Sequence, residues 1–401
     1  MKIMKIIKPK LFFKTFIKQF GKKVSFAQEE TLRHLINSKS SNLKEFTNLF
    51  SAIGSKLIAD NNKISNYDEG LISQIEEYME LNYNYFTIND GLISFNTLAL
   101  INRGNPHIYT IYQKYFLDNF TISNINDVND FNEKITKHYE DPSLLGLQTN
   151  LFKFYNSLSE INMINHDMFT FLLEQFCNPN KELTYLKDST ASQTKYKLLW
   201  TTTLNICNLY RRFKKIHKSY LDNINNLIKV CCNCIRQESL KGEINFSKDI
   251  MNKIRLYKSL YYLKLENFPG IELSDPSLNN FLEEFKPFVN MNYENITNVS
   301  KLQKNFGEIL KEMNIEYELE KKTEFAVVDY FIKPNIVVEV NGPHHYVSFT
   351  SNFKAKHVLT RRVLRILGYN IIDIYYKDMF DTKFVKNFVD NELTLIKNKK
   401  Y

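Results

Sequence analysis

The chain has 401 residues, 43% of them hydrophobic, and a formal net charge of +9 at pH 7. That length allows two or three domains with real cores. With only 11 Gly and 9 Pro, collagenous, Gly-rich and tight-turned all-β folds are excluded and long helices are favoured.

The charge is unevenly spread. Residues 1–28 hold eight Lys and no acid, and residues 301–401 hold 17 Lys plus Arg against 13 Asp plus Glu. The stretch between them is slightly acidic, so affinity for a polyanion must come from local basic faces rather than from the total. Heavy use of Asn, Lys, Ile, Tyr and Phe fits a coding bias, so Asn-rich and Lys-rich patches carry little weight. Five cysteines, an odd number at irregular spacing, do not form a secreted disulfide framework.

The opening MKIMKIIKPKLFFKTFIKQFGKKVSFAQ is basic, acid-free and amphipathic. No uncharged run in it reaches the length of a signal core or a membrane span. It reads as an organellar transit peptide, mitochondrial in preference to plastid-type, although such peptides use Arg more than this one does; the other reading is an ordinary basic amphipathic first helix. No other membrane-spanning candidate occurs.

From residue 29 to 300 the pattern is helix after helix. Apolar residues recur at steps of three and four over Glu29–Asn37, Leu43–Ile58, Asp68–Leu81, Leu92–Ile101, Ile108–Phe116, Leu144–Leu158, His166–Phe176, Lys195–Phe213, Tyr220–Arg236 and Phe246–Leu265. Helices in tandem predict stacked helical hairpins, an α-solenoid, with an irregular bundle as the other arrangement. A repeat near 38 residues is faint. The run of Arg211, Arg212, Lys214, Lys215, His217 and Lys218, interleaved with Tyr210, Phe213 and Tyr220, is either an RNA-tracking face or a solvated helix end. Trp200 is expected in the core. VCCNCIRQ at Cys231, Cys232 and Cys234 resembles half of a zinc site, but no second pair stands at finger-like spacing, so packed reduced thiols are expected and no metal.

The last hundred residues change character. A helix over Lys301–Asn314 precedes an edge strand at Ile315–Leu319. Two apolar strands, Ala326–Ile332 and Ile336–Val340, then flank a Lys-Pro-Asn turn. A loop leads into helix Lys354–Leu367, ended by Gly368. Strand Tyr369–Tyr375 and a helix from about Lys377 to Lys397 complete a small three-layer α/β domain. The crossover helix places the last strand beside Ile336–Val340. Each of the two apolar strands carries one acid, Asp329 and Glu339, placed either to share a metal ion or to sit as satisfied structural groups.

The run VVDYFI…IVVEVNGPHHY, followed by TRRVLRILGYNIIDI, resembles the RAP domain, an RNA-binding domain abundant in apicomplexans. Asp329, Glu339, Asn341, Gly342, Pro343, His345, Arg361, Arg362, Leu364, Gly368 and Tyr369 fill that family's pattern over about residues 305–382. The resemblance implies a restriction-endonuclease-like fold, and with it an RNA-binding protein of an organelle. Its partner would be organellar rRNA or mRNA, its work RNA stability, processing, translation or ribosome assembly, and the mitochondrial ribosome a second partner. In the related nucleases Asp329 and Glu339 would hold Mg²⁺ beside a Lys. Here Asn341 stands at that place, and an amide is neither a general base nor a cation. Binding without a cofactor is therefore expected. The alternatives are a metal-dependent RNA endonuclease of Asp329, Glu339 and His345, and a structural ribosome-associated or scaffold protein.

The expected layout has three parts: a leader over 1–28, a helical region over 29–300 and the α/β module over 301–401. Its fold class is α + α/β, an α-solenoid-like array followed by the nuclease-like domain. Within the module Asn341, His344, His345, Lys354, His357, Arg361, Arg362 and Arg365 are expected to contact RNA, most of them on one basic helix face. Arg211, Arg212, Lys214 and Lys215 would add to them from the helical region.

Overall fold

The computed structural model describes residues 26–38, 42–59, 69–122, 142–177, 191–213, 218–240, 250–291, 299–347 and 350–398. Most of the leader, together with Lys214 and Lys215, lies outside the described residues. The described chain is mostly helical, with one small four-stranded sheet near the C-terminus. Among the described residues no helix is long and apolar enough to cross a membrane.

Two compact units divide at residues 158 and 159, inside the run expected as one helical region. The first holds α1 (Phe26–Asn37), α2 (Leu43–Ala59), α3 (Glu69–Asn82), α4 (Ile88–Leu100), α5 (Pro106–Ile122) and most of α6 (Pro142–Glu160). Adjacent helices pack, α1 on α2 and α4 on α5, and contacts also skip a helix, α1 meeting α3 and α2 meeting α4. Stacked rings form its centre, with Phe95 and Tyr112 3.9 Å apart and nearly coplanar. Aromatic pairs of this kind add about 1 kcal/mol beyond their buried area.

The second unit continues with α7 (His166–Cys177), α8 (Ala191–Phe213), α9 (Lys218–Leu240), α10 (Ile250–Glu266) and α11 (Pro276–Met291). Helix-skipping contacts recur, α7 with α9, α8 with α10 and α9 with α11. No helix was expected over α11, which holds Pro276 and Pro287. Pro276 occupies the first helical position, where the missing N–H costs nothing. Trp200 is core, as expected, and its indole N–H donates to Glu160 Oε1 at 3.2 Å. Cys231, Cys232 and Cys234 are buried along α9, and burial pushes their thiols up, Cys232 to about 11.

The module itself begins at α12 (Lys301–Glu312). Ser300 and Gln303 close a reciprocal capping box at its start. Strands β1 (Glu318–Lys322), β2 (Val327–Ile332), β3 (Ile336–Asn341) and β4 (Asn370–Tyr375) lie side by side in chain order. The pairs β1–β2 and β2–β3 are antiparallel, whereas α13 (Ala355–Ile366) crosses over to set β4 parallel to β3. β1 starts three residues later than the pattern suggests, because Asn314 takes a left-handed φ of 54° and Ile315 N–H closes on Leu310. Likewise, α14 (Thr382–Asn398) starts after a short turn at Asp378–Phe380, where Asp381 Oδ1 accepts from the Phe384 N–H.

α13 ends as predicted. Gly368 has φ 86°, Tyr369 N–H reaches back to Leu364, and Gly368 N–H to Arg365. One sheet face packs Val338, Val340, Ile372 and Ile374 on Phe306 and Leu310 of α12 and on Val385 and Val389 of α14. Gly307 sits where this layer is tightest, since a Cβ there would come within 2.9 Å of the Tyr330 hydroxyl. On the other face Val328, Phe331 and Val337 meet Leu364 of α13. The far side of α13 packs in turn on α8 and α10, so the crossover helix is enclosed.

Candidate nucleic-acid interface

Three strands each bring one acid to the same level. Glu339 is the register partner of Asp373 on β4. One step beyond the Tyr330–Val338 pair, Asp329 comes level with Glu339. Glu339 and Asp373 have aliphatic neighbours along their strands, and Asp329 stands between Val328 and Tyr330. Burial, then the neighbouring Asp329 charge, pushes the Glu339 carboxyl well above its usual range, while burial also raises Asp329.

The outer two acids are already engaged. Asp329 Oδ2 accepts the Val340 N–H at 2.8 Å, and Oδ1 accepts the Gln303 amide. The Gln303 amide orientation is fixed, because its oxygen accepts the Ser300 N–H in the capping box. Asp373 is clasped by Arg361, whose Nε lies 2.9 Å and 3.1 Å from its two oxygens. Arg361 is 4% exposed and also stacks on Phe353, 3.9 Å from the ring centre.

Asn341, with no exposed surface, is the hub. Its Nδ2 donates to Asp373 Oδ1 at 2.9 Å and to the Glu339 carbonyl at 3.0 Å. Its Oδ1 accepts from Arg361 Nη2 at 2.7 Å and lies 2.9 Å from His345 Nδ1. An oxygen can only accept, so His345 carries its proton on Nδ1. All four valences of the amide are satisfied, which neither Lys nor Asp could achieve here. Asn341 thus serves as a structural tie between β3, β4, α13 and the loop after β3.

That tie decides whether the acids suit a metal ion. Asp373 holds Arg361 and Asp329 holds two N–H donors. Among the described residues no group of three His, Cys, Asp or Glu side chains is arranged to hold a metal ion. Asp329 and Asp373 therefore present their oxygens to N–H donors.

The expected RNA-contacting residues divide by burial. His344, in the turn Pro343–His345, is exposed, and so is Arg365 near the end of α13. Lys354 is half-buried at the N-cap of α13, and Lys356 beside it is exposed. His345 and His357 stack 4.2 Å apart. Burial and the surrounding cations push His345 down to about 4 and His357 to about 2, so both are neutral at physiological pH. Arg362 pairs with Glu266 of α10, Nε to Oε2 at 2.9 Å, rather than pointing into solvent. Arg211 and Arg212 lie in the last turn of α8.

Sequence reasoning did not single out Gln303, Asp373 or Lys258, whereas Lys356 belonged to the expected basic stripe. Lys258 of α10 is brought near Lys356, and burial followed by that charge pushes it down to about 8. Asp373 did carry a signal. It repeats, in NIIDIY, the lone acid among aliphatics already seen in VVDYFI and IVVEVN.

Residues 338–392 match the family model described as RAP domain. The match spans the second half of β3, the Asn341 loop, α13, β4 and most of α14, so the resemblance read from the motif is met. A RAP domain points to RNA as the partner in general terms. Comparison with curated proteins finds no match.

Proposed function

We propose that this chain is an organellar, mitochondrial RNA-binding protein whose C-terminal module grips RNA and whose helices extend the contact. The RAP match over residues 338–392 carries this reading. Lys356 and Arg365 offer exposed cations on that stretch, Lys354 a half-buried one, and His344 an exposed imidazole. Phosphate contacts are what such side chains supply, and they need no base specificity. Within each unit, helices pack on the next but one. That pattern supports stacked helical hairpins of the α-solenoid kind, and the α/β module supports a nuclease-like fold. Such an array would follow a single strand.

The work of the protein would then be RNA stability, processing, translation or ribosome assembly, with the mitochondrial ribosome among its partners. Asn341, satisfied on four sides, favours holding over cutting. Fluorescence anisotropy of the full chain with labelled single-stranded RNA, titrated with KCl, tests the reading. Phosphate-dominated affinity falls steeply and linearly in log–log form. RNA binding no tighter than that of a neutral control protein would overturn it.

A further inference from the structure

We propose that the exit end of β3 and β4 carries a base-stacking platform for single-stranded RNA, formed by Phe380 and Tyr376 with Lys377 beside them. It rests on the RNA-binding reading and adds the part of the ligand that would be recognised. Because Asn341 and Tyr375 are parallel register partners, the segments that follow them leave the sheet at one end. Tyr376 N–H donates to the Asn341 carbonyl at 3.1 Å, which fastens the two exits together. In sheets with parallel strands, this end is where ligands bind.

Behind the platform stands a file of rings. Tyr376 meets Tyr375 at 4.7 Å, Tyr375 meets Tyr346 edge-on at 5.0 Å, and Tyr346 stacks on Phe353 at 4.7 Å. Arg361 closes the file over Phe353. The rings are thus anchored to the Asn341 hub. In the turn Asp378–Phe380 that follows, Phe380 N–H donates to the Lys377 carbonyl at 3.3 Å, and its ring is 88% exposed, the most exposed large hydrophobic side chain among the described residues. Leaving a whole aromatic face in water is unfavourable unless something covers it.

The neighbours of Phe380 favour a base over a protein surface. Lys377 is exposed, with its Nζ 5.8 Å and 6.0 Å from the Tyr375 and Tyr376 ring centres. His344 is exposed on the partner loop. Asp378 and Asp381 lie on either side of Phe380, with Asp381 held by the Phe384 N–H. An exposed ring with Lys377, Asp378 and Asp381 close by in the chain suits a nucleobase, which has an apolar face and polar edges. Those two acids repel phosphate, so Phe380 would contribute through stacking and Lys377 through charge.

The test uses the full chain, a labelled 12-nucleotide oligouridylate and an abasic oligomer of the same length. Phe380→Ala should weaken oligouridylate binding roughly tenfold with an unchanged salt slope. Phe380→Trp should restore it and Phe380→Leu should not. Lys377→Ala should instead lower the salt slope by about one. The abasic oligomer should bind wild type and Phe380→Ala alike. Unchanged oligouridylate affinity in Phe380→Ala, or an equal loss for the abasic oligomer, overturns the platform while leaving RNA binding intact. A dimer lost in Phe380→Ala at constant RNA affinity assigns the ring to protein contact and overturns it too. If wild type binds neither oligomer, the RNA-binding reading falls and takes the platform with it.

Discussion

Asn341 Oδ1 and Arg361 Nη2 lie 2.7 Å apart, and through this bond the end of β3 holds the helix that returns the chain to β4. Both residues are almost fully buried. The amide is irreplaceable here because it donates twice and accepts twice. Asn341→Asp would turn two donors into a carboxylate facing Asp373, at a cost of about 2–4 kcal/mol. Urea unfolding of the full chain measures this. A midpoint equal to wild type would remove Asn341 from its structural role.

Glu339 has a raised pKa in the folded chain, caused by burial and by Asp329. A raised carboxylate favours folding at low pH, and that contribution is lost as pH rises from the ordinary carboxylate range through the folded value. Glu339→Gln should therefore stabilise the protein at neutral pH, by about 1 kcal/mol or more, and flatten this part of the stability profile. Parallel wild-type and variant curves across that window would contradict the assignment.

His345 and His357 work in the opposite sense. Their folded values of about 4 and about 2 lie below the ordinary imidazole value of 6.5. Depressed imidazoles stabilise above their unfolded pKa, and that stability is lost as pH falls toward the folded values. Between pH 7 and 5 each should withdraw about 1–2 kcal/mol. In His345→Gln the difference between the two pH values should shrink, whatever the variant costs at pH 7. An undiminished difference would place the acid sensitivity elsewhere.

Arg362 ties α13 to α10 through Glu266, whose side chain is 4% exposed while that of Arg362 is 37% exposed. Removing Arg362 alone strands a buried carboxylate, for about 1–3 kcal/mol. Glu266→Gln in the same chain should recover part of that loss, so a double-mutant cycle should give a coupling near 1 kcal/mol. Strictly additive losses would mean that the pair does not hold the helix.

Several of these features could be read from the chain beforehand. The lone acids among aliphatics, the Gly368 stop and the α13 crossover follow from local chemistry. Burial of Arg361 and the pairing of Arg362 with Glu266 did not, since they depend on other elements covering a helix whose sequence looks basic. One hint was present. Ala355, Val358, Leu359, Val363 and Leu364 spread around the helix instead of keeping to one stripe, as in a helix enclosed on both sides. Gln303 was out of reach for another reason. It meets Asp329 only because the capping box turns its amide inward, and no spacing rule connects residues 26 positions apart.

The clasp around Glu324 bears on where this domain may be cut. Tyr261 donates to Glu324 Oε2 at 2.6 Å, and Lys286 reaches Oε1 at 3.0 Å. Together with the Arg362–Glu266 pair, these bonds fasten the sheet to α10 and α11. The stretch recognisable as a recurring family begins at residue 338, so severing the chain there would discard β1, β2 and α12 and turn β3 into a raw edge strand. The matched stretch and the packed module differ in length here. The shorter one carries the recognisable signature, and the longer one supplies the scaffold that lets it stand.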